Sequence, residues 1–93
     1  MHFSWNPIKA AANERKHGVS FREAATVLRD PLSTTFPDED HSQDEQRYLT
    51  IGISTAQNLL VVSHAGGGDE IRIISARRVT RQERQFYEEE KRP

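Results

Sequence analysis

Apolar residues recur at helical spacing through the first third of the chain and at strand spacing through the middle. Phe3-Ser4-Trp5 reads as a short extended start. Asn6 is a good N-cap and Pro7 suits a first helical position, so a helix is predicted from Pro7 to about His17. On it Ile8, Ala11, Ala12 and Arg15 share one face, and Lys9, Asn13 and Lys16 share another. Gly18 supplies a left-handed stop. Ser20 with Glu23 has the spacing of a capping box, and Phe21, Ala24, Ala25 and Leu28 then form a buried stripe on a second helix to about Arg29. Asp30-Pro31 ends it.

The pattern then switches to strands. Leu32 to Phe36 reads as a short edge strand, and Pro37 to Glu45 as a polar loop. From Arg47 to Ser54, Leu49, Ile51 and Ile53 point one way and Tyr48, Thr50 and Gly52 the other. Leu59 to His64 is apolar on both faces and is expected to be a central strand. Ala65 to Asp69 carries Gly66-Gly67-Gly68 and reads as a flexible hairpin connection. Glu70 to Ala76 is the last strand, with 71, 73 and 75 on one face and 70, 72, 74 and 76 on the other. Thr80 and Glu83 then open a helix that runs to about Lys91. The order predicts an α+β fold: an antiparallel sheet of about four strands, two N-terminal helices and a C-terminal helix, all on one face of a meander.

Ninety-three residues make one domain, 1–93. The longest aliphatic run is Leu59 to Val62, which cannot span a membrane, and no signal peptide is expected at the N-terminus. With no cysteine there is no disulfide, thiolate metal site or cysteine nucleophile. These features favour the cytoplasm. The net charge of −1 is not that of a general nucleic-acid binder, but it is unevenly spread. Asp30 to Gln46 holds six acidic residues and no Lys or Arg, whereas Arg72 to Arg84 holds five arginines against Glu83. A basic cleft can therefore sit on a near-neutral molecule.

The candidate chemistry follows those arginines. A guanidinium is planar and permanently charged and can grip a phosphate through two hydrogen bonds, or it can be a solvated charge beside a core strand. His17, after Arg15-Lys16, either complements the dipole of its helix or moves a proton. Lys16 is either a second such charge or a phosphate ligand. His64 ends the central strand as an acid, a base or a polar tip. Glu45 and Arg47, two apart, form a surface ion pair or a catalytic pair. Trp5, Phe86 and Tyr87 are core or interface aromatics, with base stacking open to Trp5 and Tyr87. The four histidines lack metal-ligand spacing, and no cofactor is expected.

Several of these pieces occur together in one family. Trp5-Asn6-Pro7-x-Lys9-Ala10, Lys16-His17-Gly18-Val19-Ser20-Phe21, Asp30-Pro31, Glu45-x-Arg47, Ile51-Gly52 and Ile71-Arg72-Ile73-Ile74-Ser75-Ala76-Arg77-Arg78 resemble the BrnT family of type II toxins over nearly the whole chain. The resemblance implies a RelE-like fold and a metal-independent endoribonuclease that blocks translation. It also implies a BrnA-type antitoxin, bound as a hetero-oligomer, that masks the toxin. RNA cleavage of that kind proceeds by 2′-OH attack and leaves a cyclic phosphate. Arg72 and Arg77 are then the expected phosphate clamps with Arg47 nearby, and His17, His64 and Glu45 the proton-transfer candidates. Lys16, Arg78, Trp5 and Tyr87 are the expected RNA contacts, with Arg78 alternatively facing a partner. The competing class is a non-catalytic module that binds protein or RNA.

Overall fold

The computed structural model describes residues 1–92. Strand β1 is His2–Ser4, followed by helices α1 (Pro7–His17) and α2 (Phe21–Leu28). Strand β2 (Thr34–Pro37) and a single 3-10 turn (Glu39–His41) lead to β3 (Arg47–Ile53), β4 (Leu59–Gly67), β5 (Glu70–Arg78) and helix α3 (Arg81–Glu90). The sheet has five strands in the order β1-β5-β4-β3-β2. It is mixed, because β1 pairs in parallel with β5 while the other pairs are antiparallel. The short extended start expected at Phe3-Ser4-Trp5 is present as β1, but the expectation of about four antiparallel strands did not include it in the sheet, because its parallel pairing with β5 has no local signal.

The predicted caps are present. Asn6 Oδ1 accepts from Ile8 N and Lys9 N, Ser20 Oγ accepts from Glu23 N, and Thr80 and Glu83 form a reciprocal capping box. Each satisfies backbone N–H groups that a helix start leaves without partners. Gly18, at φ 69°, ends α1 in the left-handed region. The final hairpin is tighter than expected: β4 continues through Gly67, and only Gly68-Asp69 lies between it and β5. Gly66, at φ 111°, needs its missing Cβ, which would lie 2.5 Å from Glu70 O.

The helices do not share one face of the sheet. Val19, Phe21, Ala24 and Val27 pack against Leu60, Val62, Ile73 and Ala76 on the first face. Tyr87 of α3 packs with Ile51, Leu59 and Val61 on the second. β4 is apolar on both faces because it is covered on both, by roughly 1.5–3 kcal/mol per fully buried aliphatic side chain. Gly52 brings β3 against α2 and the loop that follows it: a Cβ there would lie 2.8 Å from Ser33 Cβ and 3.1 Å from Val27 Cγ1.

Helix α1 uses a polar residue as its anchor. Asn13 is buried, while Ile8, on the apolar face, is 78% exposed. The Asn13 amide donates to Ala76 O (2.9 Å) and accepts from Ala76 N (3.1 Å), as a neighbouring strand would. It also donates to Val19 O (3.0 Å), which fixes the turn between α1 and α2. One side chain thus sets the position of α1 against β5 beyond the end of β1.

Candidate active site

The sheet register places a row of side chains across one end of the second face. Arg47 is opposite Ala65, Ala65 opposite Arg72, and Arg72 beside Ser4. Directly paired residues point to the same side of a sheet. Ala65 carries nothing beyond Cβ, so the arms of Arg47 and Arg72 have room on either side of it. Between them lies the carboxylate of Glu45. Arg72 Nη2 hydrogen-bonds Glu45 Oε1, and Arg47 Nε lies 3.9 Å from the same oxygen.

Glu45 reaches this point because the acidic segment before β3 is folded back on itself. Ser42 Oγ donates to Asp38 O (2.6 Å) and accepts from Arg47 N (3.0 Å), and Asp38 N donates to Arg47 O (2.9 Å). The segment expected to be a polar loop is therefore a positioning device for one carboxylate.

Beside the cluster is a hollow of about 180 Å³ lined by Asn6, Lys9, Arg47, Arg72, Ile73 and Ile74. Lys9, Arg47 and Arg72 set three cations against the single carboxylate of Glu45, a net of +2. Arg47 Nε is buried and has no hydrogen-bond acceptor, the sole such side-chain atom among the described residues. Leaving a buried donor unmade costs roughly 1–3 kcal/mol, and more at a charged group. The hollow is thus lined by three cations, one of which keeps an unpaired donor.

The other expected residues lie elsewhere. Arg72 pairs with Ala65 and Arg77 with Val61, four residues apart on β4, so the two lie about 13 Å apart along the sheet and cannot share one phosphate. The Arg77 guanidinium is engaged with Glu83 through two bonds, Nη1–Oε1 at 2.8 Å and Nη2–Oε2 at 2.9 Å. That pairing and the Thr80 N–H hold the Glu83 carboxyl at about 2, well below the usual carboxylate range, even though burial opposes it. Arg78 Nη1 donates to Asn58 Oδ1 (2.8 Å), and Asn58 Nδ2 donates to Glu23 Oε2 (2.8 Å), tying β5 to the β3–β4 turn and α2.

His64 projects to the first face, because its neighbour Ala65 is on the second. It is buried, stacks on Tyr48 with ring centroids 5.8 Å apart, and its Nε2 lies 2.7 Å from Thr50 Oγ1. Burial pushes its pKa below the ordinary value. Lys16 and His17 occupy the last turn of α1, where His17 is roughly 12 Å along the helix from Lys9. Trp5 meets Phe21 edge-on at 6.1 Å at the margin of the first core. Tyr87 is a core residue of the second face and offers no ring to a base; burial, helped by the Asp30 carboxylate, pushes its phenol pKa up.

Of the sequence candidates, the structure brings together Glu45, Arg47 and Arg72, and separates them from His17, His64, Lys16, Arg77 and Arg78. Lys9 and Asn6 were missed as site residues. Their sequence signal was the Trp5-Asn6-Pro7-x-Lys9 block, which carries no charge pattern of its own. Among the described residues no three His, Asp or Glu side chains converge as a metal site would require, and no helix is long and apolar enough to cross a membrane.

Fold and cluster define a small α+β protein with a cationic corner at one end of its sheet. Residues 5–83 match the model of the family described as "Ribonuclease toxin, BrnT, of type II toxin-antitoxin system", and the chain belongs to that family. Among solved structures, the 1.1 Å crystal structure of the Brucella abortus ribonuclease toxin BrnT is similar, with a TM-score of 0.67 and 24% identity over 87% of this chain and 99% of that one. At that identity the likeness shows the fold. No curated protein matches the chain.

Proposed function

We propose that this toxin cleaves RNA at the Glu45–Arg47–Arg72 cluster, by attack of a ribose 2′-OH on the adjacent phosphate without a metal ion. The observation that carries the reading is the acceptor-less Arg47 Nε facing a carboxylate already shared with Arg72. A substrate phosphate that takes the place of that carboxylate on Arg72 also supplies the missing acceptor to Arg47. The displaced Glu45 carboxylate is then free to accept the 2′-OH proton. As the 2′ oxygen bonds to phosphorus, the phosphate gains a second negative charge, which the net +2 corner stabilises. The P–O5′ bond breaks, Lys9 protonates the departing oxygen, and the products are a 2′,3′-cyclic phosphate and a 5′-OH end.

Membership of a type II system implies an antitoxin. In this proposal it is of the BrnA type, acts in the cytoplasm, and blocks the toxin in a hetero-oligomer by covering the exposed arginine corner. A non-catalytic binding module is the competing reading. One observation favours it: no histidine joins the cluster among the described residues.

The test is inducible expression of the chain with and without the neighbouring open reading frame, followed by incubation of purified protein with RNA in EDTA. The expected result is growth arrest that the neighbour relieves, and new 5′-OH ends that Arg72→Ala and Arg47→Ala fail to make. Folded wild-type protein that causes no arrest and makes no ends on naked or ribosome-bound RNA would overturn the proposal.

A further inference from the structure

Helix α3 covers only part of the second sheet face. The row Ile51–Val61–Arg77 lies beneath its first turns, and the row Arg47–Ala65–Arg72 forms the anion corner at the other end. Between them is the row Leu49–Ser63–Ser75, in register across β3, β4 and β5. Ser75 is exposed, Ser63 is half-buried, and Leu49, also half-buried, borders the hollow beside α3. Phe36 and Phe86 stand at the side of this strip with rings edge-to-face at 6.3 Å, and Phe86 is 45% exposed. The hollow that they line against α3, with Ile51 and Val61, measures about 390 Å³ and meets the strip at Leu49.

Resting on the RNA-cleavage reading, we infer that this strip is a nucleobase subsite for the nucleotide flanking the scissile phosphate. The geometry follows from the register. Leu49 is two residues from Arg47 and Ser75 three from Arg72 with one residue bulged out, so the strip lies about 7 Å from the anion corner. That is the reach from a phosphate, across its ribose, to its own base. The floor is apolar at Leu49 and carries two hydroxyls, which both donate and accept and so suit the edge of a base. Phe86 presents an open ring, and aromatic rings stack on bases regardless of sequence. Arg77 on the far border is engaged by Glu83, so the free positive charge lies at the Arg47–Arg72 end, and a polyanion anchored there lays its flanking base along the strip.

The experiment maps 5′-OH ends on a randomised RNA pool treated with wild-type protein, Phe86→Ala, Ser75→Leu and Arg72→Ala. Phe86 and Ser75 are exposed, so the variants retain the fold, checked by circular dichroism. Wild type is expected to prefer certain bases next to the cut. Phe86→Ala should lower cleavage roughly five- to a hundredfold, the range for losing one stacked base. Ser75→Leu should flatten the base preference. Unchanged rate and preference in both variants, with Arg72→Ala inactive, overturns the subsite alone. A wild-type enzyme that cuts with no base preference also overturns it. Variants that lose antitoxin binding but cut as wild type does assign the strip to the protein partner instead. Absence of any wild-type ends overturns the cleavage reading itself.

Discussion

Arg72 and Arg77 stand five positions apart on one strand, yet both face the side of the sheet that carries α3. Strict alternation would put them on opposite faces. The register explains the reversal: Ser63 pairs with Ser75 but His64 pairs with Ile73, so Ile74 is extra. This β-bulge shifts every residue after it to the other face and increases local twist. It places Arg72, Ser75 and Arg77 along one face, while Ile73 and Ala76 fill the core on the other.

The two arginines should therefore fail differently when removed. Arg72→Ala should lower RNA cleavage about 10²–10³-fold, as loss of a donor to a developing anion does, with the melting temperature nearly unchanged. Arg77→Ala should lower stability by about 1 kcal/mol through loss of the Glu83 contact and leave substantial activity. Parallel denaturation and cleavage assays check this; the opposite pattern would move the anion site to Arg77.

The Arg77–Glu83 pair also sets an acid limit. The Glu83 carboxyl sits at about 2 in the folded chain against an ordinary 4.5. A depressed carboxylate contributes stability that is present above the ordinary value and is lost as pH falls through the folded one. Urea unfolding should thus show stability declining from about pH 4.5 toward 2, and Glu83→Gln should flatten that decline. An equally steep decline in the variant would mean that other carboxylates control it.

His64 should behave as a buried neutral ring. Its lowered pKa means that the unfolded chain takes up a proton more readily, so stability is retained above about pH 6.5 and lost as pH falls below it. An NMR titration should give an imidazole midpoint below the ordinary 6.5. His64→Gln should leave the pH dependence of RNA cleavage in place; a variant whose pH profile collapses would make His64 part of the chemistry.

Asn13→Ala should cost about 2–4 kcal/mol, because it leaves Ala76 N, Ala76 O and Val19 O without their partner in a buried setting. Asn13→Asp should cost a similar amount, since it keeps the acceptor and loses both donor bonds. Chemical denaturation measures it, and a loss below 0.5 kcal/mol, within the range of about ±0.5 for neutral surface changes, would show that water replaces the amide.

The elements were legible where local chemistry decides them. Asn6, Ser20 and Thr80 mark three helix starts, Gly18 marks a stop, and the alternation of β3 assigns its faces correctly. Glu45 and Arg47 could be paired from their spacing. What was not legible depends on pairing at a distance. The bulge exists only in the register of β4 against β5, and the partnership of Glu45 with Arg72 spans 27 residues. Asn13 reads as one more polar residue on a charged helix, because nothing local reveals that its amide faces a strand edge. The helices split between two faces because β4 is apolar on both, and the strand pattern alone does not say which helix covers which face.

The amide of Asn13 also has a bearing on self-association. β1 covers β5 only as far as Arg72, and farther along the outer edge Asn13 occupies the backbone groups of Ala76. An uncovered edge is a template on which another copy can add a strand. The N-terminal strand and α1 thus act as a sheath over the outer margin of β5. Without that sheath the backbone groups of β5 would stand open to the edge strand of another copy.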